Sequence, residues 1–151
     1  MKRFVGLSLV VLLTAITATG ACAAPASYYR DQKVVYHNDG GGADNAAYFR
    51  KMLNNLKNHV AALGKNHLQI RVVDHGDGVV MLQMAKTDEK LAQLIDARKA
   101  EGVRFLICRN TLEERNIDWH TLYGASEQDL VPSGVAELAR LEIMGFVYIH
   151  P

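Results

Sequence analysis

From Lys33 to Pro151 the chain alternates short β-branched apolar runs with longer stretches in which apolar residues recur every three or four positions. The first pattern predicts buried strands and the second amphipathic helices. Lys33–His37 reads as a first strand, broken by the turn cluster Asn38, Asp39, Gly40, Gly41 and Gly42. Asp44 or Asn45 caps a helix whose stripe is Phe49, Met52, Leu53, Leu56, Val60 and Leu63, and Gly64 ends it. Leu68–Val73 reads as a second strand with Leu68, Ile70 and Val72 on one face, stopping at Asp74, His75, Gly76, Asp77 and Gly78. Val79–Met84 is apolar without a decisive period. Thr87, Lys90 and Leu91 open a second clear helix with Leu91, Leu94 and Ile95 in its stripe.

Glu101 and Gly102 close that helix and deliver the chain to Val103–Ile107, a strand that ends on Cys108. Asn110 or Thr111 caps the helix that follows, and Thr111 with Glu114 fits a capping box. Asn116–Ser126 reads as a loop carrying Trp119, His120 and Tyr123. Leu130 and Val131 make a short fourth strand, stopped by Pro132. Ser133 caps a last helix with Val135, Leu138, Ala139 and Ile143 inward, and after Gly145 the run Phe146–Ile149 closes the sheet. Strands alternating with helices predict a parallel sheet covered on both faces. Five strands at this length fit an α/β, flavodoxin-like, doubly wound, mainly parallel sheet, with ligands outside the carboxyl ends of the strands.

Ahead of this domain, Met1, Lys2 and Arg3 precede an apolar run from Phe4 to Ala18, and Ala21, Cys22 and Ala23 match a cleavage pattern. Residues 1–23 read as a secretory signal peptide, 24–32 as a flexible leader and 33–151 as the folded domain. The run is shorter than the roughly 20 residues of a membrane span, so the expected location is periplasmic or otherwise exported, with no membrane attachment after cleavage. Loss of Lys2 and Arg3 takes the formal net charge from +1 to −1. No basic patch or stripe appears, so nucleic acid is not an expected partner.

Cleavage also removes one of the two cysteines. Cys108 is then alone, with no partner for an internal disulfide, and is either inert, paired between chains, or reactive. Its place before a helix start, beside Arg109, favours the reactive thiolate. His37 is a proton partner if the first and third strands are neighbours. His75 and His120 are weaker candidates. His37, His75 and Cys108 on one rim also suggest zinc or copper, but no close-spaced ligand pair supports it, so no metal or cofactor is expected. Gly40–Gly42 lacks the phosphate-loop spacings. Ser133 lacks the G-x-S-x-G elbow of a serine hydrolase.

Three stretches together resemble the DsrE/DsrF-like family of sulfur-relay-type fold, over nearly the whole span from Lys33 to Pro151. They are Asp74–Val79, Gly102–Leu112, and Val131–Leu138 followed by Gly145–Pro151. The resemblance implies a flavodoxin-like fold, a homo-oligomer, and a rim cysteine that takes sulfur as a persulfide and passes it on. Cys108 matches a cysteine frequent in the exported branch. The implied activity is that of a sulfur carrier or sulfurtransferase-like protein. Cys108 carries the sulfur, His37 or Arg109 assists, and a sulfur donor or acceptor protein is the partner. The alternative is a non-enzymatic oligomeric binding or accessory protein with a structural cysteine.

Overall fold

The computed structural model describes residues 28–151. The expected signal peptide and residues 24–27 of the expected leader lie outside the described residues. Five strands, β1 (Gln32–Asn38), β2 (Leu68–Asp74), β3 (Arg104–Cys108), β4 (Leu130–Val131) and β5 (Val147–Ile149), form one sheet in the order β4-β3-β2-β1-β5. Every pairing is parallel. The helices are α1 (Asn45–Leu63), α2 (Val80–Met84), α3 (Glu89–Ala100), α4 (Arg109–Glu114) and α5 (Gly134–Ile143). The ambiguous Val79–Met84 run is therefore helical from Val80, entered through a 3₁₀ turn at Gly76–Val79.

Alternation along each strand divides the core between the two faces of the sheet. Val34, Tyr36, Ile70, Val72, Phe105 and Ile107 point to the larger core, where they meet Phe49, Met52, Leu53 and Leu56 of α1 and Leu91 and Ile95 of α3. Both helices begin as their sequences require. Asp44 accepts a hydrogen bond from the Ala47 amide, and Asp88 from the Leu91 amide. The opposite face is thinner. Among the described residues Val35, Val73 and Leu106 meet Leu138 and Leu141 of α5 and Phe146, with Val131 at the margin.

Three local expectations are corrected. Cys108 itself is the N-cap residue of α4, and the helix starts at Arg109. Thr111 is therefore inside the helix, and its hydroxyl instead accepts the Gly76 amide proton at 2.9 Å. In α5, Val135 and Ile143 are 65% and 87% exposed, and Ala139 also faces outward. The buried side of α5 is Glu137, Leu138 and Leu141, with Glu137 neutralised by a two-pronged pair to Arg140 at 2.7 Å. Ser133 caps α5, accepting from the Ala136 amide. That leaves an apolar surface of Val135, Ile143 and Met144 together with Val147 and Tyr148 of the edge strand β5.

Candidate functional site

In an all-parallel sheet every strand points its carboxyl end to the same edge, so the residues that follow the strands meet there whatever their separation in sequence. His37 and Asn38 end β1, Asp74 and His75 end β2, Cys108 ends β3, and Tyr148, Ile149 and His150 end β5. The strand order decides who meets whom. β2 lies between β1 and β3, so His37 is not beside Cys108 as a first-to-third strand contact would require. His75 is the histidine next to the thiol: Asp74 pairs with Ile107, and each of the two residues follows directly.

Gly134, the first residue of α5, marks how close they are. A β-carbon placed there would lie 2.7 Å from Cβ of His75 and 3.2 Å from Cβ of Cys108. Only glycine lets the α5 backbone approach this corner. Cys108 is 5% exposed, beneath that corner. The corner is further tied by the Asn110 amide, which donates to the Pro132 carbonyl at 3.3 Å.

His37 continues the array outward. Its Nε2 is 2.5 Å from Nε2 of His75, with the rings stacked at 4.7 Å, and its Nδ1 is 2.6 Å from the Tyr148 hydroxyl. Two imidazole nitrogens at that separation hold one proton between them. Tyr148, His37 and His75 thus form a line of exchangeable protons that ends at His75, on the strand next to that of Cys108. Burial lowers the His37 pKa, and the nearby His75 and His150 lower it further against the opposing pull of Asp39. His37 is therefore held in its neutral form. Burial raises Tyr148, helped by Asp39 and Glu142.

Asp39 and His150 flank this line, with His150 Nε2 donating to Asp39 Oδ1 at 2.9 Å. Burial alone would raise the Asp39 carboxyl. The hydrogen bond from His150 and the charges of His37 and His150 outweigh it, and the carboxyl sits below its ordinary value. Arg109 is exposed and lines an open cleft of about 460 Å³ with Leu112, Glu113 and Trp119. Among the described residues no hydrogen bond or ion pair joins its guanidinium to the histidines. His120 lies elsewhere, stacked on Trp119 at 3.8 Å and bonded to Asp118.

Below the rim is a buried polar pair. Asn38 and Asp74 are both 0% exposed, and the Asn38 amide donates to Asp74 Oδ1 at 2.6 Å and to the Gly78 carbonyl at 3.3 Å. Asp74 Oδ2 is buried without a partner, as is the Tyr48 hydroxyl. Burial pushes the Asp74 carboxyl up to about 7, against the hydrogen bond from Asn38 and the charge of Lys99. Burial, assisted by Asp39, Asp74 and Tyr148, pushes Tyr48 up to about 12.

Tyr148 and His150 are site residues that sequence reasoning missed. A signal for them was present. The closing strand Phe146–Ile149 was already placed in a parallel sheet, and the residue after such a strand falls on the carboxyl edge.

This architecture defines a flavodoxin-like α/β protein with, among the described residues, a single thiol at the carboxyl edge of its sheet, near a histidine pair. The chain belongs to the DsrE/DsrF-like family, which it matches over residues 32–151. It is similar to the structure of MTH1491 from Methanobacterium thermoautotrophicum, a protein of unknown function. The TM-score is 0.67 at 29% identity, covering 80% of this chain and all of that one (100%). The E. coli ychN protein has the same fold, with a TM-score of 0.52 at 16% identity over 79% of this chain and 97% of that one. No curated protein matches the sequence significantly.

Proposed function

We propose that this chain is an exported, periplasmic sulfur carrier that holds sulfane sulfur as a persulfide on Cys108. One observation carries the reading: the β-carbons of Cys108 and His75 meet at the Gly134 corner, and His75 is joined through His37 to the Tyr148 hydroxyl. His75 takes the thiol proton. The thiolate attacks the outer sulfur of a sulfane donor, the donor's S–S bond breaks, and the leaving group departs with the electron pair, as sulfite does from thiosulfate. Transfer onward runs the same way. An acceptor thiolate attacks the outer persulfide sulfur, and Cys108 leaves as thiolate. Arg109 is at the mouth of the neighbouring cleft, where it would meet an anionic donor or a donor or acceptor protein.

The test is intact-mass spectrometry after incubation with thiosulfate or polysulfide. One sulfur atom, about 32 mass units, is expected on the chain and is expected to be absent from Cys108→Ser. His75→Gln is expected to slow loading about 10²-fold or more, the usual contribution of a positioned base. Wild-type protein that stays unmodified with every donor would remove the proposal.

The burial of Cys108 favours a second reading, an oligomeric accessory protein with a structural cysteine. It predicts slow alkylation of the native thiol by iodoacetamide at neutral pH, where the carrier reading predicts fast alkylation. Under both readings the chain self-associates, supported by the exposed apolar surface of Val135, Ile143, Met144 and Val147. Ile143→Glu is expected to lower the mass measured by light scattering to that of a smaller species. An unchanged mass would locate the contact elsewhere.

A further inference from the structure

The same edge of the sheet holds a second set of donors, on the side away from the thiol. His37 lies in β1, Asp39 follows that strand, and His150 follows β5. One donor atom from each of the three lies within 4.8 Å of the other two. His150 Nε2 and Asp39 Oδ1 are 2.9 Å apart, and the rings of His37 and His150 meet edge to face at 5.3 Å. His75 Nε2 stands 2.5 Å from that of His37 and outside this set. Ligands bonded to one ion at about 2 Å cannot be more than about 4 Å apart, so small side-chain movements bring this set into register.

The arrangement differs from an ordinary polar surface in two respects. Two imidazoles flank one carboxylate, a grouping that one cation would satisfy. The Tyr148 hydroxyl also holds Nδ1 of His37. That is the outer contact which fixes the ring and tautomer of a ligating histidine, leaving Nε2 to the ion. The Asp39 and His150 side chains are 42% and 46% exposed, so an ion has a way in and a position left for water or a small ligand.

We propose that His37, Asp39 and His150 bind one divalent transition-metal ion, with the remaining positions open to water or a small ligand. Imidazole nitrogen with a single carboxylate suits Cu(II) and Zn(II) rather than the all-oxygen preference of calcium and magnesium, and Cu(II) binds the tighter of the two. On loading, any proton on the ligating nitrogens is released to solvent. Cys108 lies beyond β2 from His37 and is not a ligand. His37 is shared with the proton line of the thiol site, while binding of the ion does not require Cys108.

Isothermal titration of the untagged chain with Cu(II) and with Zn(II) tests this. One equivalent of each is expected to bind, Cu(II) more tightly, with nitrogen hyperfine splitting in the spin-resonance spectrum of the copper form. His150→Ala and Asp39→Asn are each expected to weaken Cu(II) about 100-fold. Both positions are exposed, and circular dichroism verifies that the variants are folded. Cys108→Ser is expected to keep wild-type affinity. The proposal is overturned if neither ion binds saturably, if both rim variants bind like wild type, or if Cys108→Ser loses the ion.

Discussion

Replacing Gly78 with alanine is expected to cost about 3 kcal/mol or more, the upper range for a group forced into filled space. The added Cβ would lie 1.9 Å from the Asn38 carbonyl oxygen, 2.7 Å from its carbonyl carbon and 3.0 Å from its Cγ. The obstacle is backbone, and that backbone is held in place. Asn38 pairs with Asp74 in the sheet, and its carbonyl also accepts the His75 amide proton at 3.1 Å. Relief requires the 3₁₀ turn to lift off the end of β1 or the end of β1 to move. Either movement breaks the hydrogen bond from Asn38 to the Gly78 carbonyl and shifts His75, so urea denaturation should show a much lower midpoint. A Gly78→Ala protein as stable as wild type would mean that the turn does not rest on Asn38.

The second large effect is on the pH dependence of stability. In the folded chain Asp74 titrates at about 7, against 3.8 for the free carboxyl. Below the lower value both states carry the proton and the residue costs nothing. As pH rises through the window between the two, the unfolded chain ionises while the folded chain resists. Stability therefore falls by about 1.4 kcal/mol per pH unit and levels off above the folded value. The total is of the order of 4 kcal/mol. Asp74→Asn keeps an oxygen for the Asn38 amide and is neutral at every pH. It is expected to be the more stable protein at about pH 8 and to lose that advantage at about pH 4. Parallel urea titrations at the two pH values decide it, and equal slopes for both proteins would show that Asp74 is not the group responsible.

Much of the fold was legible because its larger core is built from strong periodic signals. The stripe Phe49, Met52, Leu53 and Leu56 is buried throughout, and Ile70 and Val72 alternate into the same core as expected. The α5 helix was misread for a physical reason. Val135 and Ile143 carry the helical period as well as Leu138 and Leu141 do, and a helix apolar on more than one side does not say which side the sheet takes. A glutamate on the buried side looks wrong until its ion pair with Arg140 is seen. The thiol and the existence of a polar rim were legible from the residues at strand ends. The identity of the neighbours was not, because strand order follows from where each crossover lands. That order moved His75 next to Cys108 and set His37 one strand away.

The unequal covering of the sheet has a consequence for the order in which the molecule opens. One face is sealed by α1 and α3, the other by α5 and Phe146 alone. The three-residue strand β5 pairs only with β1. With so few apolar contacts, α5 and β5 are expected to open at a free energy below that of global unfolding. They take with them Gly134, which closes over Cys108, and Tyr148 and His150, which complete the rim. A buried thiol is thereby uncovered by a partial opening that leaves β1, β2, β3 and the larger core intact.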